Sequence, residues 1–153
     1  PDAVRNSAIS LDFKTVGNFP GKRTDRADKN YERYVQEKIE HVLNIKISEW
    51  SLDSFCFQLC LEGEKTWVHK DESEWAAVLY LTPNAPIESG TGLYKDVDLE
   101  TENFELDIGM GNVYNRIVIY KGTKSHRSIL AGFGNSKETG RLTQVFFFRT
   151  ENG

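Results

Sequence analysis

The sequence predicts an α+β protein with a mainly β core, and three observations lead to that prediction. One strong amphipathic pattern with a helical period lies early in the chain, over about residues 27–44. Short segments rich in Val, Ile, Phe, Tyr and Trp follow it to the C-terminus. Turn clusters of Gly, Pro, Asn and Ser separate these segments, which is typical of a β-sandwich or β-barrel.

The helix and the strands are expected in that order. Residues 1–24 carry turn signals and are predicted to be irregular, and Asp25 or Asp28 can then cap the helix. One apolar face runs along the helix: Tyr31, Val35, Ile39, Val42 and Leu43. Six strands are predicted after it: Ile45–Trp50, Phe55–Leu61, Trp75–Leu81, Gly92–Tyr94, Val113–Tyr120 and Leu142–Arg149. The acidic segment 94–104 is predicted to be a solvated connection.

Length and composition bound the kind of protein. The chain has 153 residues, and its nine Phe, six Tyr and three Trp supply a core. We therefore predict a single domain over residues 1–153, with residues 1–45 as N-terminal helical support and residues 46–150 as the core. The formal charge of −4 does not favour attraction to the phosphates of a nucleic-acid backbone, so no nucleic-acid partner is expected.

Hydropathy and cysteine usage predict a cytoplasmic protein with no membrane partner. No apolar run approaches the ~18–20 residues that a membrane helix needs, and no signal peptide is visible at Pro1. Cys56 and Cys60 share one predicted strand, on which a separation of about 13 Å is too long for a disulfide. Both are therefore predicted to be reduced core residues, as is usual inside cells.

Histidines carry the main chemical signal, because the chain contains only three. His41 lies off the apolar face of the helix and is predicted to be solvated. His69 and Asp71 alternate on an extended segment, so that one imidazole and one carboxylate share a face and can bind one metal ion. Alone this pair is weak, because a surface ion pair or a capped turn has the same spacing.

A third ligand is available at His126, which follows an apolar strand 57 residues beyond His69. Two histidines and one carboxylate form the facial triad that holds Fe(II) and leaves three positions open. A bidentate 2-oxo acid can fill two of these positions and O₂ the third. Structural zinc sites are usually closed by four protein ligands, so three candidate ligands favour an open catalytic site.

The last predicted strand adds an anchor for an anion. Arg141 and Thr143 share one face of that strand. An Arg that points into an apolar interior is costly unless it is paired, and a dicarboxylate matches its planar guanidinium. The alternative is an Arg at a strand end that reaches solvent, because Gly140 precedes it.

The order of these motifs, His-x-Asp, then a distant His, then Arg-x-Thr, resembles the Fe(II)/2-oxoglutarate-dependent dioxygenases and among them the prolyl-4-hydroxylase-like branch. Three further segments fall in the family's order: Ala76–Thr82, Ser89–Leu93 and Asn115–Tyr120. The resemblance extends from about residue 55 to about residue 149. It implies a double-stranded β-helix, a jelly-roll or cupin-like core, with the N-terminal helix packed on one sheet.

The resemblance also implies a reaction and a set of site residues. The implied catalytic residues and metal ligands are His69, Asp71 and His126, and the implied cosubstrate residues are Arg141, Thr143 and Tyr80. Fe(II), 2-oxoglutarate and O₂ are the implied cofactors, with ascorbate as a further candidate. The implied activity is hydroxylation of an amino acid, a peptide or protein, or another small molecule.

Two departures from the family pattern leave alternatives open. Leu61 stands where many relatives have a cosubstrate-binding Tyr. The gap between the distal His and Arg141 is 15 residues, longer than is common in that branch, so Arg116 or Arg127 is a rival for the clamp. The extra residues, 131–140, are predicted to be either an outward bulge or a mobile lid beside the metal.

Two other classes of protein compete with the oxygenase. A non-catalytic jelly-roll module could bind a metal or a small ligand, but it needs no dicarboxylate clamp. A zinc-dependent cupin-type isomerase or hydrolase would show more His ligands than this chain offers. Trp67 and Trp75, which flank His-x-Asp, are predicted to pack rather than to face a substrate. Four basic residues are predicted to be solvated surface: Arg5, Lys22, Arg23 and Arg26.

Overall fold

The computed structural model describes residues 1–26, 29–95 and 104–151, and within them the chain is mostly β. The elements in chain order are α1 (Asp2–Ser10), β1 (Thr15–Gly17), β2 (Phe19–Arg23), α2 (Lys29–Leu43), β3 (Ile47–Trp50), β4 (Phe57–Cys60), β5 (Trp75–Tyr80), a 3₁₀ turn (Ile87–Ser89), β6 (Thr91–Tyr94), β7 (Leu106–Met110), β8 (Ile117–Lys121), β9 (His126–Ser128) and β10 (Arg141–Thr150). No helix in these three ranges is long and apolar enough to cross a membrane.

The strands form two antiparallel sheets. The larger sheet has the order β1-β2-β4-β10-β5-β8, and β3 also pairs with β10. The smaller sheet has the order β7-β6-β9. β10 is central because it pairs with three neighbours, and its apolar run is buried along most of its length. The predicted α+β class with a β core is confirmed.

Alternation along β10 separates the two faces of the larger sheet. Residues that face α1 and α2 are Leu142, Gln144, Phe146 and Phe148. Residues that line a cavity on the opposite face are Arg141, Thr143, Val145 and Phe147. Because side chains alternate with a period of two, one strand supplies both the apolar core and a polar site.

The predicted helix is confirmed as α2, and it packs on the larger sheet. Val35 and Ile39 are buried in one cluster with Phe55, Phe146 and other residues of the sheet. The rings of Phe55 and Phe146 meet edge to face, with their centroids 5.2 Å apart. Val42, predicted on the buried face, is instead 75% exposed. The alternative cap Asp28 lies outside the described residues.

The expectation that residues 1–24 are irregular is wrong. They form α1 and a hairpin of β1 and β2, and β2 pairs with β4 in the larger sheet. Pro20 and Gly21, which are among the turn signals of this segment, both lie inside β2. Gly21 has φ +70°, and a Cβ there would lie 2.1 Å from the carbonyl oxygen of Leu59. Glycine therefore allows the close approach of β2 to β4.

The six predicted strands are present with shifted ends, and two further strands after α2 were missed. Residues 113–116 form a turn before β8, in which Asn115 has φ +64°. β7 was missed because its side chains are largely exposed, and β9 because it is only three residues long. Most of the predicted acidic connection, residues 96–103, lies outside the described residues. Cys56 and Cys60 are buried and free, as predicted.

Truncation of the central aromatic residue of this core tests the packing between α2 and the sheet. Phe146 is fully buried, so we expect Phe146→Ala to lower the free energy of unfolding by ~3–5 kcal/mol through lost burial and a cavity. Urea denaturation measures this change. Val42→Ala, on the exposed side of α2, should change it by less than ~0.5 kcal/mol. Equal effects of the two substitutions would contradict the described packing.

Candidate metal centre

The structure brings together the three predicted metal ligands, although they come from distant parts of the chain. His69 Nε2 lies 3.7 Å from Asp71 Oδ1, and His126 Nε2 lies 3.3 Å from Asp71 Oδ2. One potential ligand atom from each of the three residues lies within 4.8 Å of the other two. A two-histidine, one-carboxylate set of this size suits a divalent ion such as Fe(II).

Backbone hydrogen bonds hold this arrangement. His69 N–H donates to the carbonyl of His126 at 3.0 Å, and His126 N–H donates back to the carbonyl of His69 at 2.9 Å. Asp71 N–H donates to the carbonyl of Gly122 at 2.8 Å, in the turn between β8 and β9. A Cβ at Gly122 would lie 2.4 Å from the carbonyl oxygen of Ser73, so the close approach requires glycine. Main-chain hydrogen bonds therefore hold the segments that carry the ligands next to one another.

Both imidazoles are oriented by carbonyl groups, which accept hydrogen bonds and cannot donate them. Nδ1 of His69 lies 3.0 Å from the carbonyl oxygen of Trp67, and Nδ1 of His126 lies 2.8 Å from that of Lys124. Each Nδ1 must carry the proton, which leaves the Nε2 lone pair directed toward Asp71. Burial, with the neighbouring His126, lowers the pKa of His69, which favours its neutral, ligating form.

Asp71 supplies an independent indication that a cation belongs here. Its Oδ2 atom is buried and accepts no hydrogen bond from any residue in the described ranges. A buried carboxylate whose two oxygens each lie beside an imidazole nitrogen lone pair is unfavourable unless a positive charge lies between them. The donor set and this unsatisfied oxygen both fit a metal ion. His69, Asp71 and His126 are the residues that would hold it.

The triad opens into a cavity of about 480 Å³ between the two sheets. Val78 and Tyr120 line it from the larger sheet, and Thr91 and Ser128 from the smaller one. This volume lies within the range of ~300–1,000 Å³ that is usual for small-molecule sites. The metal centre is thus reached from a chamber large enough for organic ligands.

Arg141 is buried in the wall of the same cavity, with only 6% of its surface exposed. Its Nε donates to the carbonyl of Ser89 at 2.9 Å. Within the described part of the chain it forms no ion pair, and burial lowers the pKa of its guanidinium. The alternative of a strand-end Arg that reaches solvent is wrong, because β10 and the Ser89 turn enclose the side chain.

The two other predicted cosubstrate residues occupy different positions. Thr143 is buried beside Arg141 and lines the cavity. Tyr80 is fully buried, donates its hydroxyl hydrogen bond to Thr91 at 2.7 Å, and is not among the residues that line the cavity. Contact of either residue with 2-oxoglutarate stays a prediction. Tyr120, which sequence reasoning did not single out, lines the cavity with its ring centroid 4.8 Å from that of His126.

The two rival arginines, Arg116 and Arg127, differ in whether they reach the cavity. Arg116 is exposed and donates to the carbonyl of Gly111 at 3.0 Å, away from the cavity lining. Arg127 does line the cavity, but its Nε donates to the Tyr94 hydroxyl at 2.9 Å and its guanidinium lies over that ring. Arg141 is therefore the more buried of the two candidates that reach the chamber.

The segment 131–140 is a bulge outside the metal cavity, and its role as a mobile lid stays a prediction. None of its residues lines the metal cavity. Gly132 N–H donates to the carbonyl of Glu64, and Lys137 Nζ donates to the carbonyls of Ile9 and Leu11 at 3.1 and 2.6 Å. These bonds tie the segment to the outside of the molecule and leave Arg141 at the start of β10.

Three residues near the site depart from or refine the sequence expectations. Arg23, predicted to be solvated, is 8% exposed and lines the cavity. The prediction failed because the hairpin that carries Arg23 was not foreseen. Trp75 packs as predicted, stacked on Phe148. Trp67 is 39% exposed and lines the cavity instead of packing in the core. His41 is exposed on α2, as predicted.

Comparison with solved structures shows a similar fold in a prolyl hydroxylase. The structure of a prolyl hydroxylase in complex with a hypoxia inducible factor oxygen degradation domain peptide fragment, from Trichoplax adhaerens, aligns with a TM-score of 0.59. The alignment covers 99% of this chain and 74% of that chain at 11% sequence identity. No protein-family model matches the sequence, and no curated protein is similar to it in sequence. The shared feature is therefore the jelly-roll type of fold.

Metal titration tests the centre directly. Mn(II) at about 100 times its dissociation constant should stabilise the wild-type protein by ~2.7 kcal/mol, which appears as a raised thermal midpoint. Asp71→Ala and His126→Ala should remove this stabilisation, because each deletes a ligand. His41→Ala changes a histidine that is exposed on α2 and should keep the full effect. Retention of the effect in Asp71→Ala would contradict the assignment.

Proposed function

We propose that this protein is an Fe(II)- and 2-oxoglutarate-dependent oxygenase that hydroxylates an amino acid, a peptide or another small molecule. The single observation that carries the proposal is Arg141, which is buried in the cavity that holds the His–Asp–His triad and forms no ion pair with any described residue. A metal site alone explains the triad. Only an anionic ligand beside the metal also explains the charged guanidinium.

The residues of the site have different roles in the proposed reaction. His69, Asp71 and His126 hold the metal and leave positions open, since the described part of the chain offers three ligands. Arg141 binds the distal carboxylate of 2-oxoglutarate, and Thr143 adds a hydroxyl to the same end of the chamber. When bound, Fe(II) supplies the coupled oxidation by which O₂ and 2-oxoglutarate give succinate, CO₂ and a hydroxylated substrate. Val78, Val145 and Phe147 line the chamber with apolar surface that limits water near the metal.

The fold is consistent with this proposal at the level of architecture. Two antiparallel sheets enclose the metal residues, and we take them as the two halves of a double-stranded β-helix within a single domain. The similar prolyl hydroxylase was solved with a peptide fragment, which supports an amino-acid or peptide substrate here. A non-catalytic module that binds only a metal would leave unexplained the buried Arg141, which has no ion-pair partner among the described residues. The chain holds only three histidines for a zinc hydrolase.

The first test is spectroscopic. Under anaerobic conditions, Fe(II) and 2-oxoglutarate together should produce a weak visible charge-transfer band, because the 2-oxo acid chelates the metal. His69→Ala should abolish the band and His41→Ala should retain it. With oxygen admitted, slow uncoupled succinate formation should accompany the band. A wild-type protein with neither signal would exclude the oxygenase.

The second test separates cosubstrate binding from metal binding. Arg141→Gln should weaken 2-oxoglutarate binding by ~10- to 100-fold, since it removes a charge-assisted pair. Its Mn(II) affinity should stay within about threefold of wild type, because Arg141 is not a ligand. Arg116→Gln is the matched control at an exposed position and should change neither constant. Equal loss of both affinities in Arg141→Gln would argue against the clamp.

A further inference from the structure

A second guanidinium, that of Arg23 on β2, is buried in the wall of the metal cavity, and the proposed reaction so far gives it no role. Only 8% of Arg23 is exposed. Burial lowers the pKa of the group, because desolvation disfavours its charged form. A buried cation in a ligand chamber needs a partner of opposite charge.

The protein satisfies Arg23 only in part. Its Nε donates to Gln58 Oε1 at 3.1 Å. Its Nη1 lies 3.9 Å from Asp53 Oδ2, but the Asp53 side chain is 74% exposed, so water screens this pair. Nη2 has no hydrogen-bond partner among the residues that the structure describes. The terminal nitrogens are therefore the donors that a ligand can use.

The surroundings of Arg23 fit a carboxylate attached to an apolar body. The guanidinium carbon lies 3.9 Å from the centroid of the Phe19 ring, so one flat face is covered. The planar edge is the part of a guanidinium that binds a carboxylate with two parallel hydrogen bonds. Phe147, whose centroid is 5.6 Å from the guanidinium carbon, and Trp67 add aromatic surface to the same chamber.

Arg23 and Arg141 are separate anchors, as the strand register shows. Arg23 lies opposite Gln58 on β4, and Gln58 lies opposite Thr143 on β10. Two strand spacings separate the backbone of Arg23 from β10, which is about 10 Å. Arg141 lies two residues further along β10. The chamber thus presents two guanidinium groups on different strands, enough for two different carboxylates.

We infer that Arg23 binds a carboxylate of the molecule that is hydroxylated, so that the substrate is a small carboxylic acid with an apolar body, such as a free amino acid. The inference rests on the proposed function, because it takes 2-oxoglutarate to occupy Arg141. Phe19 holds the guanidinium flat, and Gln58 fixes its Nε, so that the free edge is presented to the chamber. The substrate's negative charge compensates the buried cation.

Calorimetric binding to protein loaded with Mn(II) and 2-oxoglutarate tests this inference without turnover. The probes are the twenty free L-amino acids and their α-amides, which differ from them in lacking the carboxylate. At least one acid should bind the wild-type protein ten times more tightly than its amide. Arg23→Gln should weaken binding of that acid by at least tenfold and remove the preference over the amide. Lys22→Gln, on the neighbouring position of β2 and outside the metal cavity, should retain both.

Several outcomes would overturn the inference. The first is a wild-type protein that binds no acid more tightly than its amide. The second is an Arg23→Gln variant that keeps the preference for the acid. The third is a loss of 2-oxoglutarate affinity in Arg23→Gln that is as large as the loss in Arg141→Gln. If Arg23→Gln does not fold, Arg23→Lys is the substitute, because it keeps the charge but loses the planar pair of donors. Arg23→Lys should weaken binding of the acid by at least threefold. The anaerobic band distinguishes the two levels. A band without acid preference rejects only the role of Arg23, whereas a missing band rejects the oxygenase and this inference together.

Discussion

Three electron-rich atoms face one another at the centre of this protein, and the rest of the structure serves to keep them there. Two imidazole lone pairs and a buried carboxylate oxygen repel one another unless a cation lies between them. The protein maintains the arrangement with paired main-chain hydrogen bonds between His69 and His126 and with a third from Asp71. Main-chain bonds do not depend on side-chain rotamers, so the ligands are positioned before any metal arrives.

The cavity beside the metal shows why the two faces of the larger sheet have different chemistry. The face toward α1 and α2 is filled by aromatic and aliphatic side chains, which provide the stability of the fold. The opposite face carries two buried arginines, and the described residues provide only part of the hydrogen-bond partners of each. Such groups destabilise a protein that holds no ligand, and this is the common cost of a preorganised binding site. The packing of the helices on the central strand therefore offsets the destabilisation that the buried charges of the site cause.

Sequence reasoning reached the metal ligands and Arg141 because their signals are local and chemical. His69 and Asp71 depend only on strand alternation, and His126 is the only other histidine off the helix. Arg23 was missed because its burial depends on a hairpin of short polar strands that contains Pro and Gly. Such a segment has no periodicity, and only its pairing with β4 reveals it. Tertiary pairing, rather than local preference, decided its structure.

The bulge between the distal histidine and β10 has a consequence for how proteins of this architecture vary. Residues 131–140 are attached to α1 and to the Glu64 turn, on the outer surface, and so the number of residues there is independent of the position of either functional group. Insertions or deletions at this point would alter the spacing of the motif along the chain while leaving the reaction chamber intact. Fixed-interval sequence patterns would overlook such proteins, whereas a search by three-dimensional placement of the ligands would find them.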